Sequence, residues 1–231
     1  MANAERRYTS VRVEVRADAT DKRTIGGYAA KFNKLSRNLG GFVEQIAPTF
    51  FNKSRGDGWP GVVARYNHDD NQLLGTTRAG TLRLDVDEVG LAYSVDTPMA
   101  RADVYELVQR GDVAQSSFAF VTYEDDWSAT DQGFPMRTLI SGGLRDVAPV
   151  NTPAYDDTTV GMRAMTEPAT VGGALIGPAP ALESLARKFE ADIEEVRALA
   201  VEDDLRKFFA RTDKPAPKPM SIGDALRTYV R

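Results

Sequence analysis

The sequence predicts a mainly β protein with helices, an α+β fold, followed by a C-terminal helical tail. Three observations carry the prediction. Short runs of alternating or β-rich residues recur between Val11 and Val150, separated by Gly, Pro, Asn and Asp. A single stretch among them, Met99 to Gln109, sets Val104, Leu107 and Val108 at helical spacing. Beyond Glu167 the composition turns to Ala, Gly, Pro and Thr, and then to apolar residues at helical spacing. Short strands of antiparallel style around one helix suit a β-barrel or closed sheet with added helices. The expected boundaries are a unit over residues 1–165, a linker over 166–181 and a helical tail over 182–231 that contains a Pro-rich linker.

Taken in order, residues 1–8 are polar and expected to fray. Val11, Val13 and Val15 alternate with charged residues and read as a half-buried strand. Thr24 to Phe32 is a second strand, with a bulge or close approach at Gly26-Gly27. Phe42 to Ile46 is a third, and Pro48 to Asn52 opens a short helix. Gly61 to Tyr66 is β-rich and delivers His68 at its end. Leu73–Gly75, Leu82–Leu84 and Leu91–Val95 are further strands, the last two joined by a turn at Asp87–Gly90. Gly111 stops the helix that begins near Met99. A strand from Ser117 follows, then a polar excursion around Trp127, then strands at Met136–Ile140 and Leu144–Val150. In the tail, Leu182–Phe189, Ile193–Leu199, Leu205–Ala210 and Ile222–Val230 read as helices, with Arg211–Pro219 as linker.

Composition narrows the function classes. The 231 residues carry a net charge of −4, which gives no general reason to expect nucleic-acid binding. Cysteine is absent, which removes disulfides, thiol nucleophiles and thiolate metal sites and fits a reducing compartment. One histidine and no cysteine argue against a zinc site. Asp85, Asp87 and Glu88 form an acidic hairpin tip, and such tips are mostly solvated rather than cation-binding. Residues 1–7 lack the apolar segment of a signal peptide, and no apolar run approaches the ~18 residues of a membrane span.

The candidate chemistry centres on Gly111 to Val121. Phe118 and Phe120 alternate with Ser117, Ala119 and Val121. If the rings face the core, Ser117 points to the opposite side, where substrate can reach it, whereas Ser116 shares the rings' side. A serine hydroxyl needs a base to take its proton, and the only histidine, His68, supplies one. An acid must then hold the imidazole in one tautomer, and Asp146 is a candidate. Asp69, Asp70, Asp96 and Asp112 compete for that role, with Asp69 disfavoured because adjacent side chains in extended chain diverge. The order His, Ser, acid matches none of the three common triad orders, so chain order neither supports nor excludes a hydrolase. No Gly-x-Ser-x-Gly elbow surrounds Ser117, which disfavours a small-substrate esterase. Gly142-Gly143, read as a loop, is a guess for an oxyanion-binding turn.

Six blocks in order then carry a resemblance. They are Tyr66-Asn-His68-Asp69; Leu74-Gly-Thr-Thr-Arg78-Ala-Gly80-Thr-Leu82; Gly90-Leu91 with Asp96-Thr-Pro98; Arg110-Gly-Asp-Val113; Ser117-Phe-Ala-Phe120; and Leu144-Arg-Asp-Val-Ala-Pro-Val150 with Thr152-Pro-Ala-Tyr155. The segment from about Gly26 to Met162 resembles the HK97-type prohead serine proteases of tailed phages. The resemblance implies an assemblin-like β-barrel surrounded by helices, with His68 as base, Ser117 as nucleophile and Asp146 as third member. Herpesvirus relatives place a second histidine there, which this chain lacks, and Ala119 and Ala148 stand where glycine and serine are usual. It further implies an endopeptidase acting inside the assembling prohead in the host cytoplasm. The implied substrates are major capsid protein, scaffolding protein and the protease itself. No cofactor, nucleic acid or membrane is implied, and a homodimer is suggested by analogy alone. The alternative is a non-enzymatic scaffolding or capsid-assembly protein on a decayed protease fold, against which the retention of all three residues argues.

Overall fold

Strands form wherever β-branched and aromatic residues alternate with polar ones, and in this chain they build two open sheets around a shared core. A computed structural model describes residues 4–16, 23–151, 169–171, 174–176, 179–201 and 204–206. The strands are β1 (Glu5–Arg12), β2 (Glu14–Arg16), β3 (Thr24–Lys31), β4 (Val43–Ile46), β5 (Val63–Arg65), β6 (Leu73–Thr76), β7 (Leu82–Val86), β8 (Gly90–Asp96), β9 (Gln115–Ala129) and β10 (Pro135–Val150). A small hairpin, β11 (Ala169–Val171) with β12 (Ala174–Ile176), follows. The helices are α1 (Asn52–Gly56), α2 (Ala102–Arg110), α3 (Ala179–Phe189) and α4 (Ile193–Val201).

The larger sheet runs β1-β9-β10-β5-β6, with β4 also paired to β10; the smaller runs β2-β3-β8-β7. The expected barrel does not close among the described residues. One residue, Val13, separates β1 from β2, and its N–H bonds the Ala114 carbonyl at 3.0 Å. The chain therefore turns a corner from one sheet into the other, and the sheets remain a packed pair. Between them Phe118 and Phe120 stack with centroids 5.0 Å apart, and Phe50 and Phe51 meet them edge-on. The apolar residues Val104 and Val108 of α2 are buried in this core. Gly111 ends that helix at φ 88°, a left-handed conformation that suits glycine.

Several sequence expectations change. Residues 5–8, expected to fray, belong to β1. The two final strands are one strand of 16 residues, because Gly142-Gly143 is sheet and not loop. A Cβ at Gly142 would lie 2.2 Å from a Phe50 ring carbon, so this glycine makes room for an aromatic ring. The polar excursion around Trp127 is the distal half of the β9–β10 hairpin. Its indole packs on Phe42 at 5.0 Å and joins a second core with Leu182, Leu185, Val196 and Leu205. The first tail helices are thereby docked on the hairpin. The stretch expected as a linker contains β11 and β12, and α3 begins within it. The Pro-rich linker at 211–219 and the last expected helix at 222–230 lie outside the described residues.

Candidate active site

Three adjacent strands position the candidate side chains. In β9 and β10, Ser117 is opposite Ala148, and Ala119 is opposite Asp146. Ser117 and Ala119 share a face because they are two apart, so Asp146 lies diagonally from Ser117 on the same side. On its other side β10 runs parallel to β5, with Asp146 beside Val63. Two residues beyond β5 the chain turns sharply through Asn67 (φ 53°) and His68 (φ 57°). Left-handed backbone at two successive non-glycine residues is strained and is found where a site over-determines it. Here the turn is tied by the Asp69 N–H to the Tyr66 carbonyl, 3.1 Å, and by the Asn151 N–H to Asn67 Oδ1, 3.2 Å.

The turn brings the imidazole between the other two residues. His68 Nε2 is 2.5 Å from Ser117 Oγ, and His68 Nδ1 is 2.6 Å from Asp146 Oδ1. A proton on Nδ1, donated to the carboxylate, leaves Nε2 free to accept from the hydroxyl. The second carboxylate oxygen faces Arg65 Nη1 at 3.4 Å, and Arg65 also pairs with Asp70 at 2.7 Å. The arrangement can therefore deprotonate a serine, hold the imidazolium and return the proton to a leaving group.

The face assignment for the serines holds. Ser117 meets His68, whereas Ser116 lies on the side of the rings and bonds the Tyr93 hydroxyl at 3.0 Å. The rival acids are engaged elsewhere: Asp69 accepts from the Asn71 N–H, Asp96 pairs with Arg83, and Asp112 pairs with Arg110. The hairpin acid Asp87 accepts from the Val89 and Gly90 N–H groups, so it shapes its turn. Gly142-Gly143 sits within β10 beside Phe50 and Tyr123 and is no oxyanion turn.

The expected accessibility of Ser117 is not observed. Ser117 is 0 % exposed and His68 and Asp146 are each 2 % exposed. β1 lies along the outer edge of β9, antiparallel, with Tyr8 opposite Ser117. Ser117 Oγ donates to the Arg7 carbonyl at 2.8 Å, and the Tyr8 ring stands edge-on to the imidazole at 6.3 Å. Sequence reading missed Arg65, Arg7 and Tyr8. The β-rich run from Gly61 to Tyr66 flagged the strand bearing Arg65, but the charges of β1 have partners more than thirty positions away and leave no local signature.

Those partners form a second buried polar assembly on the opposite face of β9. The Arg7 guanidinium contacts Glu44 at 2.6 and 2.9 Å and Glu5 at 2.8 Å, and Arg137 contacts Glu5 and Asp125, each at 2.6 Å, and Glu44 at 3.0 Å. Burial alone would raise the Glu5 carboxyl, but Arg137 and Arg7 together outweigh it and hold it down to about 2. Burial likewise disfavours the Arg137 and Arg7 cations, and the facing carboxylates more than compensate, so both are raised. A cavity of about 250 Å³ lies between this network and α3, away from His68.

The family model described as caudovirus prohead serine protease matches residues 11–170, so residues 5–10 of β1 lie ahead of the matched span. No curated protein and no solved structure matches the chain. Among the described residues no helix is long and apolar enough to cross a membrane.

Proposed function

The chain belongs to the caudovirus prohead serine protease family, and from that premise we propose that it is an endopeptidase of capsid maturation with His68, Ser117 and Asp146 as its catalytic set. The observation that carries the assignment is the unbroken line of contacts from Ser117 Oγ through both imidazole nitrogens to Asp146. His68 takes the Ser117 proton, Ser117 Oγ attacks the scissile carbonyl, and the amine leaves with the proton from His68. Water, deprotonated by His68, then releases the acid product and restores the hydroxyl. Arg65 holds the far oxygen of Asp146 and so positions the acid rather than reacting.

The substrates in this reading are major capsid protein, scaffolding protein and the enzyme's own chain, cleaved inside the prohead in the host cytoplasm. Residues 1–165 would form the protease unit of an assemblin-like enzyme of HK97 type, acting as a monomer or homodimer. The helical region from residue 182 would serve entry into the shell and be trimmed by self-cleavage, with α3 and α4 docked on the hairpin until then.

Co-expression with the cognate capsid protein tests the assignment. A size shift of the capsid protein is expected with the wild type and none with Ser117→Ala, and a fluorophosphonate probe should label Ser117 but not the His68→Ala variant. A shift that persists in Ser117→Ala would remove the nucleophile assignment.

A further inference from the structure

One residue of β1 meets both faces of the β9 edge at once. Arg7 offers its carbonyl to the Ser117 hydroxyl and sends its guanidinium to the buried carboxylate of Glu44 as a two-pronged fork. Tyr8, which follows it, covers the imidazole. A carbonyl at the nucleophile with its own side chain in a charged recess is the disposition of the residue that precedes a scissile bond. The contact as it stands does not favour attack. The hydroxyl has one proton, and donating it to the Arg7 carbonyl withholds it from His68 Nε2.

We propose that β1 is a self-inserted substitute for substrate: an extended protein segment displaces it, pairs antiparallel with the edge of β9, and places an Arg or Lys before the cleaved bond against Glu44. This rests on Ser117 being the nucleophile. Edge strands are templates for strand addition, so the pairing groups that hold β1 serve an incoming segment equally well. The charges agree with a basic side chain. When β1 leaves, Arg7 and Glu5 depart as an oppositely charged pair, and Arg137 remains facing both Glu44 and Asp125. One carboxylate is then in excess in a buried recess, and a guanidinium or ammonium answers it at the position Arg7 vacates.

The chain contains no cysteine, so a cross-strand lock can be installed in the full chain. Arg6 is the register partner of Ala119, and such pairs lie about 4.5–5.5 Å apart at Cα, within disulfide range. In Arg6→Cys/Ala119→Cys, fluorophosphonate labelling of Ser117 is expected to fall about tenfold or more on oxidation and to return on reduction. Equal labelling in both states overturns the proposal. Absence of labelling in the wild type and in both states of the lock would instead overturn the nucleophile assignment, and this proposal with it. If the double variant fails to fold, a synthetic peptide of residues 4–12 should slow wild-type labelling while its Arg7→Glu version does not, and failure to compete overturns the proposal. For the recess, peptides with Arg or Lys before the cleaved bond should be cut about tenfold or more faster than those with Ala, a preference lost in Glu44→Gln; equal rates in the wild type overturn it.

Discussion

The β9–β10 hairpin carries two buried assemblies of acids and bases that differ in how their members are connected. At one end Ser117, His68 and Asp146 form a line in which only the imidazole bridges. On the opposite face Glu5, Arg7, Glu44, Arg137 and Asp125 form a mesh in which each arginine meets at least two carboxylates. The contacts are equally short, so distance and burial do not separate a reactive site from a structural one. Connection does. The mesh pairs carboxylates with guanidiniums only, so it offers no hydroxyl to activate and no imidazole to relay a proton. The line contains a hydroxyl and the one side chain whose ordinary pKa lies near working pH, held by strained backbone.

Breaking the line should change rate far more than stability. Asp146→Asn keeps the shape but favours the wrong imidazole tautomer, so cleavage should drop about 10³–10⁴-fold with little change in the melting temperature. Steady-state kinetics beside a thermal melt checks this. A large fall in melting temperature with near-normal turnover would make Asp146 a structural acid. Breaking the mesh should do the reverse. Arg137→Met leaves three acids without their shared cation and should cost about 3–5 kcal/mol of unfolding free energy in denaturant titration. A variant of unchanged stability would show that the mesh is not what holds β1 and β10 together.

The smallest effect is a pH slope. Glu5 is depressed from 4.5 to about 2 in the folded protein, so the folded state binds its proton more weakly than the unfolded state does. Its stabilising contribution is therefore complete above about pH 4.5 and is lost as pH falls toward about 2. Urea unfolding at about pH 5 and about pH 3 should show this loss, and Glu5→Gln should flatten it. An unchanged slope in the variant would assign the acid sensitivity to other carboxylates.

Much of the sheet and of the candidate set was legible because both rest on local signals. Short β-rich runs between turn residues marked β3 and β8, two-residue alternation marked the start of β9, and the Phe118/Phe120 pattern sorted Ser117 from Ser116. A single histidine left no choice of base. What sequence could not carry was set by distant partners. Residues 5–8 look like a charged, fraying end until Arg137 and Glu44 are beside them. Gly142-Gly143 looks like a turn until the Phe50 ring fills the space beside it. Trp127 looks exposed until Phe42 and α3 enclose it. Access to Ser117 depended on β1 and so failed for the same reason.

The pairing of β10 with β9 slips between Leu144 and Asp146, where exposed Arg145 is the extra residue of a bulge. Without that bulge, pairing in step from Leu144 would put Arg145 opposite Ala119 and Asp146 opposite Phe118. In a two-residue repeat a shift of one reverses up and down, so the carboxylate would exit on the phenylalanine side and the imidazole would lose its anchor. One solvent-facing residue, left out of the ladder, thus decides on which face of the sheet the acid emerges.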